Sequence, residues 1–362
     1  MNERIADDIN AGHRQSRGNI AAASGRLGIR RGLVLCIMLL FLPTPVCVAK
    51  PVPALAPLLD EAQGLRPLET VLVAWQGDVV AERGYRGHST TAPTDIKSAS
   101  KSVISALVGI AIDKDFLTGP NQVAAPLLAD QLPARPDPRL RRITIGNLLS
   151  MQAGLASTSG PGYGAWAHSR NWVRAALARP FADSPGAGMI YSTGSTHLLS
   201  AILTRRTGRP TLQLAREWLG PQDGFAIAGW KRDPQGIYLG GNEMAMSPRS
   251  LLAFGELYRN GGVAASGKRL ISQAWIDASW HSRTQSPHTG DGYGYGWFQT
   301  QIGGEEVHYA WGYGGQMLYI VPRLALTVVM TSDDTAPAAR TGHRDSLTQL
   351  LSGIIGAVRQ AG

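Results

Sequence analysis

The sequence predicts an α+β fold: an antiparallel sheet built from both termini, flanked by helices, with a mainly helical region inserted. Three observations carry this expectation. Short β-branched or alternating runs bounded by turn residues lie near both ends of the chain, within 71–82 and 293–331. Between about 117 and 290 the pattern is helical, with Gly/Pro loops between the runs. A last helical run, Thr341 to Arg359, closes the chain.

The elements follow in order. Residues 1–49 read as a leader. Arg30-Arg31 precede the apolar run Gly32 to Leu42, and small residues follow to Ala49. Basic, apolar, then small is the order of a secretion signal, and the apolar core is short for a membrane span. A signal peptide is expected, with a retained N-terminal anchor as the alternative, and with it a periplasmic or secreted protein. Residues 50–362 form the remaining domain, with the helical insert at about 117–290. Residues 50–69 are Pro-rich and are expected to drape over the surface. Val71 to Trp75 and Val79 to Glu82 read as a β-hairpin around Gln76-Gly77-Asp78. Residues 86–97 form a loop that delivers the chain to Ser98, and the apolar run after it should be a helix ending near Asp113–Asp115.

Within the insert, Ile143 to Met151 looks like a capped helix closed by the turn at Gln152 to Leu155. His197 to Arg206 is a helix stopped by Gly208 and Pro210, and Ser247 to Arg259 is one started by Pro248 and stopped by Gly261-Gly262. Tyr293 to Gln301, Glu306 to Ala310, Met317 to Val321 and Leu324 to Thr331 then read as strands.

Composition narrows the function classes. The chain has 362 residues, 44% hydrophobic and 17% charged, which suits an ordered protein with a full core. Its two cysteines, Cys36 and Cys47, both fall in the leader, so residues 50–362 offer no disulfide, thiol nucleophile or thiolate metal site. The formal net charge is +9, of which the leader supplies +3. The densest basic cluster beyond it, Arg139, Arg141 and Arg142, has no interleaved aromatics, so no nucleic-acid partner is expected. The eight histidines form neither H-x-H nor H-E-x-x-H, and no metal or cofactor is expected. Gly292, Gly294 and Gly296 lack dinucleotide-loop spacing, and no G-x-S-x-G elbow is present.

Chemistry centres on Ser98-Ala99-Ser100-Lys101, an S-x-x-K at the start of the apolar run Val103 to Ile112. On a helix, Lys101 would share a face with Ser98. A serine hydroxyl needs a base to become a nucleophile. A lysine held neutral by its surroundings can be that base. Tyr191, in Pro185 to Gly194, precedes a helix and can shuttle protons in a cleft if a cation lowers its pKa. Trp311-Gly312-Tyr313-Gly314 lies between two strands, where glycine lets backbone approach a substrate and an N–H can meet an oxyanion.

Taken together, S-x-x-K, then Leu148-Leu149-Ser150-Met151 with Gly154-Leu155, then Pro185-Gly186 with Tyr191-Ser192, then the glycine-rich strand motif followed by a strand and Pro322, resemble the serine β-lactamase and penicillin-binding protein superfamily. The branch most similar holds class C β-lactamases, esterases of the same fold and 6-aminohexanoate-dimer hydrolases. Gly240 to Pro248 and Tyr293 to Trp297 also look like this branch, and the resemblance runs from about residue 60 to the end. It implies the β-lactamase/transpeptidase fold and a covalent acyl-enzyme on Ser98. Lys101, kept neutral in part by Tyr191 and burial, would be the general base, and Tyr191 the proton shuttle. Backbone N–H groups of Ser98 and of the 312–314 segment, Tyr313 foremost, would form the oxyanion hole. Tyr163, Trp166 and Asn242 would line the substrate pocket, with Glu243 able to face it too.

Two departures bear on the substrate. Thr193 stands where many β-lactamases of this fold have asparagine, and Trp311 where many have lysine. Tryptophan cannot pair with a substrate carboxylate. The expected substrate is therefore a small-molecule or peptide-like ester or amide. A true β-lactamase, a D-amino-acid peptidase and a catalytically silent cell-wall-ligand binder remain alternatives.

Overall fold

Period-two alternation in the strands resolves into two cores on opposite faces of one sheet. A computed structural model describes residues 52–335 and 341–362. The leader, with Cys36 and Cys47, lies outside the described residues.

The strands are β1 (Leu68–Trp75), β2 (Asp78–Gly84), β3 (Thr94–Asp95), β4 (Gly229–Trp230), β5 (Met244–Met246), β6 (Thr284–Gln285), β7 (Gly292–Tyr293), β8 (Phe298–Ile302), β9 (Glu305–Gly312), β10 (Gln316–Val321) and β11 (Leu326–Ser332). Eight form an antiparallel sheet in the order β2-β1-β11-β10-β9-β8-β7-β6. The N-terminal hairpin thus pairs with the last strand, Val71 opposite Met330 and Val73 opposite Val328. A sheet built from both termini follows directly.

The helices are α1 (Leu55–Glu61), α2 (Ser100–Asp113), α3 (Ile145–Leu149), α4 (Tyr163–Ala167), α5 (Trp172–Leu177), α6 (Thr193–Thr207), α7 (Thr211–Trp218), α8 (Pro248–Arg259), α9 (Gln273–Trp280) and α10 (His343–Ala361). Leu72, Ala74, Leu318, Ile320 and Val329 join the core that contains α2, α6 and α8. Their neighbours Val71, Val73, Met317, Tyr319, Val328 and Met330 join the core under α1 and α10. Ser100 through Ala111 are all buried in α2. A helix buried on every face lies at the centre of a fold, and this one carries Lys101 there with Ser100, Ser102 and Ser105.

Three expectations change. Residues 50–69 include α1, because Leu55 and Leu59, one helical turn apart and both buried, pack with the α10 core. Two strands of the insert, β4 and β5, join β3 ahead of it in a three-stranded sheet, β3-β5-β4, whose strands are too short to show a period. The expected strand Tyr293 to Gln301 is broken at 294–297. There Tyr295 stacks on Trp275 and Trp297 on Phe254, which pulls the chain off the ladder. The capped helix is α3, where Thr144 and Asn147 form a reciprocal capping box.

Candidate active site

Ser98 sits in a tight 3₁₀ turn, Lys97–Ala99, immediately before α2, so Lys101 occupies the first turn of the helix itself. Lys97 adopts a left-handed φ of 50°, costly for a residue with a Cβ. Its surroundings hold it there. Its backbone N–H donates to Asp95 Oδ1 at 2.8 Å, and Ser100 Oγ donates to its carbonyl at 2.7 Å. Its ammonium pairs with Asp95 at 2.9 Å and Asp334 at 2.7 Å. Strand β9 presses on this turn. A Cβ on Gly312 would lie 2.3 Å from the Ile96 carbonyl oxygen, so only glycine fits. The close approach that Gly312 permits in this structure is to the turn that carries Ser98.

Lys101 is 2% exposed. Its Nζ lies 3.0 Å from Ser98 Oγ, 2.6 Å from the Gly241 carbonyl and 3.4 Å from Thr193 Oγ1. Burial pulls the amine down from 10.5 to about 7. A neutral amine has two N–H donors and one lone pair. The Gly241 carbonyl can only accept, and Thr193 Oγ1 can accept, which leaves the lone pair for the Ser98 hydroxyl. Gly241 itself must be glycine: φ is 88°, and a Cβ would sit 2.6 Å from Lys101 Cγ.

Tyr191 sits just before α6. Three consecutive hydroxyl residues fix it. Ser157 Oγ donates to the Tyr191 carbonyl at 2.6 Å, while Ser159 Oγ accepts from Thr193 N–H and Thr158 Oγ1 from Gly194 N–H at 2.8 and 2.7 Å. The first turn of α6 is therefore capped by a distant loop, since Ser192 gives it no side-chain cap. Burial pushes the Tyr191 phenol up to about 12, against a smaller lowering from the nearby Ser98 hydroxyl. The shift is upward, so the condition that a cation lower the phenol is not met. The Lys101 amine lies over the ring, 5.1 Å from its centroid. Burial is also what depresses Lys101, and the Tyr191 ring is part of its surroundings.

Ser98 lines a cleft of about 810 Å³ with Tyr191, Thr193, Tyr163, Asn242, Trp311 and Tyr313. Trp311 carries the Arg344 guanidinium on its ring at 4.7 Å. Tyr313 is 50% exposed and follows Gly312, the last paired residue of β9. Gly314 turns the chain at φ 84° against Asp334. Tyr163 donates its hydroxyl to Glu243 at 2.8 Å, and Glu243 also pairs with Lys231. Trp166 is a correction. It is 3% exposed, donates to the Trp172 carbonyl and packs on Trp172 and His197 beneath the cleft. It lies on the same face of α4 as Tyr163, whose ring meets it edge-on at 5.9 Å, and is packed under that ring in the core. Among the described residues no group of three or more His, Cys, Asp or Glu is placed to hold a metal ion.

The sequence matches the Beta-lactamase family over residues 63–351. The chain belongs to that family. Solved structures share the fold of this beta-lactamase-family hydrolase. A penicillin-binding protein homologue from Caulobacter crescentus is 17% identical with a TM-score of 0.66, over 87% of this chain and 99% of its own. EstCE1, a hydrolase with promiscuous acyltransferase activity, is 17% identical at 0.64, over 82% and 97%. A D-stereospecific amidohydrolase from a Streptomyces species is 17% identical at 0.60, over 80% and 96%. No curated protein matches at the sequence level.

Of the residues named from sequence, Ser98, Tyr191, Trp311, Tyr313, Tyr163 and Asn242 line one cleft, and Lys101 is buried against Ser98. Sequence reasoning missed Gly241 and the Ser157-Thr158-Ser159 run as parts of the site. The signal for the second was three hydroxyl residues ahead of Gly160-Pro161-Gly162. Gly241 acts through its carbonyl, which no residue type announces.

Proposed function

We propose that this hydrolase cleaves an uncharged ester or amide through a covalent acyl-enzyme on Ser98. The observation that carries the reading is the buried Lys101 amine, 3.0 Å from Ser98 Oγ and drawn to about 7 by burial. Ser98 Oγ attacks the carbonyl carbon while its proton passes to the Lys101 lone pair. The N–H groups of Ser98 and Tyr313 stabilise the oxyanion. As the tetrahedral intermediate collapses, Tyr191 gives its proton to the departing oxygen or nitrogen, and the Lys101 ammonium reprotonates it. Water then attacks the acyl-enzyme, giving its proton back through the same pair, and Ser98 is released. The leader, on sequence grounds, makes this an exported enzyme.

The cleft supports an apolar substrate. Met189, Phe298, Trp311 and Tyr313 line it, and the one lysine on its wall, Lys97, is held by two carboxylates. Trp311 itself offers a β-lactam carboxylate no cation, and the Arg344 guanidinium on its ring is paired with Asp291. Nitrocefin turnover is therefore expected to fall at least about 10³-fold below hydrolysis of a nitrophenyl ester in kcat/KM, within the spread that natural enzymes show. Parallel steady-state assays decide it. A nitrocefin kcat/KM equal to that of the ester would make the chain a true β-lactamase.

A further inference from the structure

Beyond Thr193, α6 buries a second set of polar side chains on the same flank, and all of them reach residues 238–241. Ser200 Oγ donates to the Tyr238 carbonyl at 2.7 Å. Thr196 Oγ1 donates to the Gly240 carbonyl at 2.9 Å. His197 Nδ1 accepts from the Gly240 N–H at 3.4 Å. Positions 193, 196, 197 and 200 lie along one stripe of a helix. The next residue after Gly240 supplies the carbonyl that holds Lys101 Nζ at 2.6 Å.

His197 has a partner of its own. Its Nε2 lies 3.0 Å from Asp233 Oδ2, and both side chains are fully buried. Asp233 Oδ1 is fixed in turn by the Gln235 and Ile237 N–H groups at 2.8 and 2.9 Å. Trp166 and Trp172 pack edge-on against the imidazole. A backbone N–H only donates, so Nδ1 is the acceptor and the ring proton is assigned to Nε2, facing Asp233. Packing two apolar side chains in the same space would cost less than burying this pair, so stability alone does not account for it.

We propose that the buried His197–Asp233 pair is a positioning device for Lys101, acting through Gly240 to fix the Gly241 carbonyl against the amine. Asp233 sets the imidazole tautomer, the imidazole holds the Gly240 N–H, and the carbonyl one residue on takes a Lys101 N–H. The lone pair is then left facing Ser98. The inference rests on Lys101 being the base. Tyr191 is the titratable group facing Lys101, and Asp233 the one facing His197.

The test compares two variants with wild type. His197→Asn keeps an amide oxygen where Nδ1 stands. His197→Leu with Asp233→Asn removes the acceptor, leaves no unpaired buried charge and retains the Asp233 turn. Reactive sites are counted by fluorophosphonate titration, and kcat/KM for a nitrophenyl ester is measured against pH per reactive site. The double variant is expected to lose roughly 10- to 100-fold per site, the cost of a misplaced catalytic group. Its acid limb should move to higher pH as water reaches Lys101. His197→Asn should stay within a few-fold of wild type. Should the double variant fail to fold, Asp233→Asn alone, which frees the tautomer, must displace the same limb. Fewer sites that each react at the wild-type rate with an unmoved limb would overturn the proposal, as would equal loss in His197→Asn. A wild type that titrates no site would instead sink the Lys101 reading itself.

Discussion

Lys101→Met is expected to lower kcat/KM for a nitrophenyl ester by about 10²–10⁴-fold, the usual worth of a positioned general base, while raising stability at pH 7. Methionine fills the same unbranched space without an amine. In the wild type the rate should climb through about pH 7 as the ammonium loses its proton. The stability argument has a definite sign. The folded value of Lys101 lies below its unfolded value of 10.5, so between about 7 and 10.5 the unfolded chain holds more protons. Wild-type stability should therefore rise with pH across that window, and the cost of the buried amine is fully present below about 7. Its upper bound is on the order of 5 kcal/mol, at 1.36 kcal/mol for each pKa unit, offset in the variant by the Gly241 carbonyl left without a donor. Urea unfolding from pH 6 to 10 reads the slope directly. A Lys101→Met protein with the wild-type slope, or with more than a tenth of the activity, contradicts the assignment.

Tyr191→Phe should cost about 10²–10⁴-fold on an amide or alkyl ester, where the leaving group needs a proton. On a nitrophenyl ester the loss should be far smaller, because nitrophenolate leaves without one. Phenylalanine keeps the ring contacts with Tyr293 and Phe298, whose centroids lie 6.3 Å away, so KM should hold. With the phenol pushed up to about 12, Tyr191 carries its proton at neutral pH and enters the cycle as an acid. Comparing the two substrate types in the same variant separates proton delivery from packing. Equal losses on both would assign Tyr191 a role in shaping the cleft.

The sheet was legible because its strands alternate. Val71, Val73 and Trp75 against Leu72 and Ala74 already describe two cores. The strand order was legible only as far as both ends contribute, since nothing local says that β1 lies beside β11. Short pieces were hidden. Two residues of β4 cannot show a period, and the break at 294–297 depends on where Trp275 and Phe254 wait for their partners. The site divides the same way. Ser98, Lys101 and Tyr191 announce themselves by side-chain chemistry and spacing. The depressed amine does not, because it follows from the burial of α2 on every face. The direction of the Tyr191 shift, left conditional on a cation in the sequence reading, is set by the same burial, which raises the phenol. Trp166 was read as cleft wall beside Tyr163, yet contacts with Trp172 and His197, which no local pattern announces, bury it under the Tyr163 ring. Gly241 contributes a carbonyl, which every residue has.

The central claim is a covalent bond at one oxygen, and intact-mass spectrometry tests it most directly. Residues 50–362 are incubated with a fluorophosphonate, an activated ester and a penicillin, beside Ser98→Ala. The account predicts one phosphonyl adduct per chain in the wild type, mapped to Ser98 by peptide fragmentation and absent from the variant. A folded wild type that stays unlabelled by every reagent, or an adduct that persists in Ser98→Ala, would contradict it.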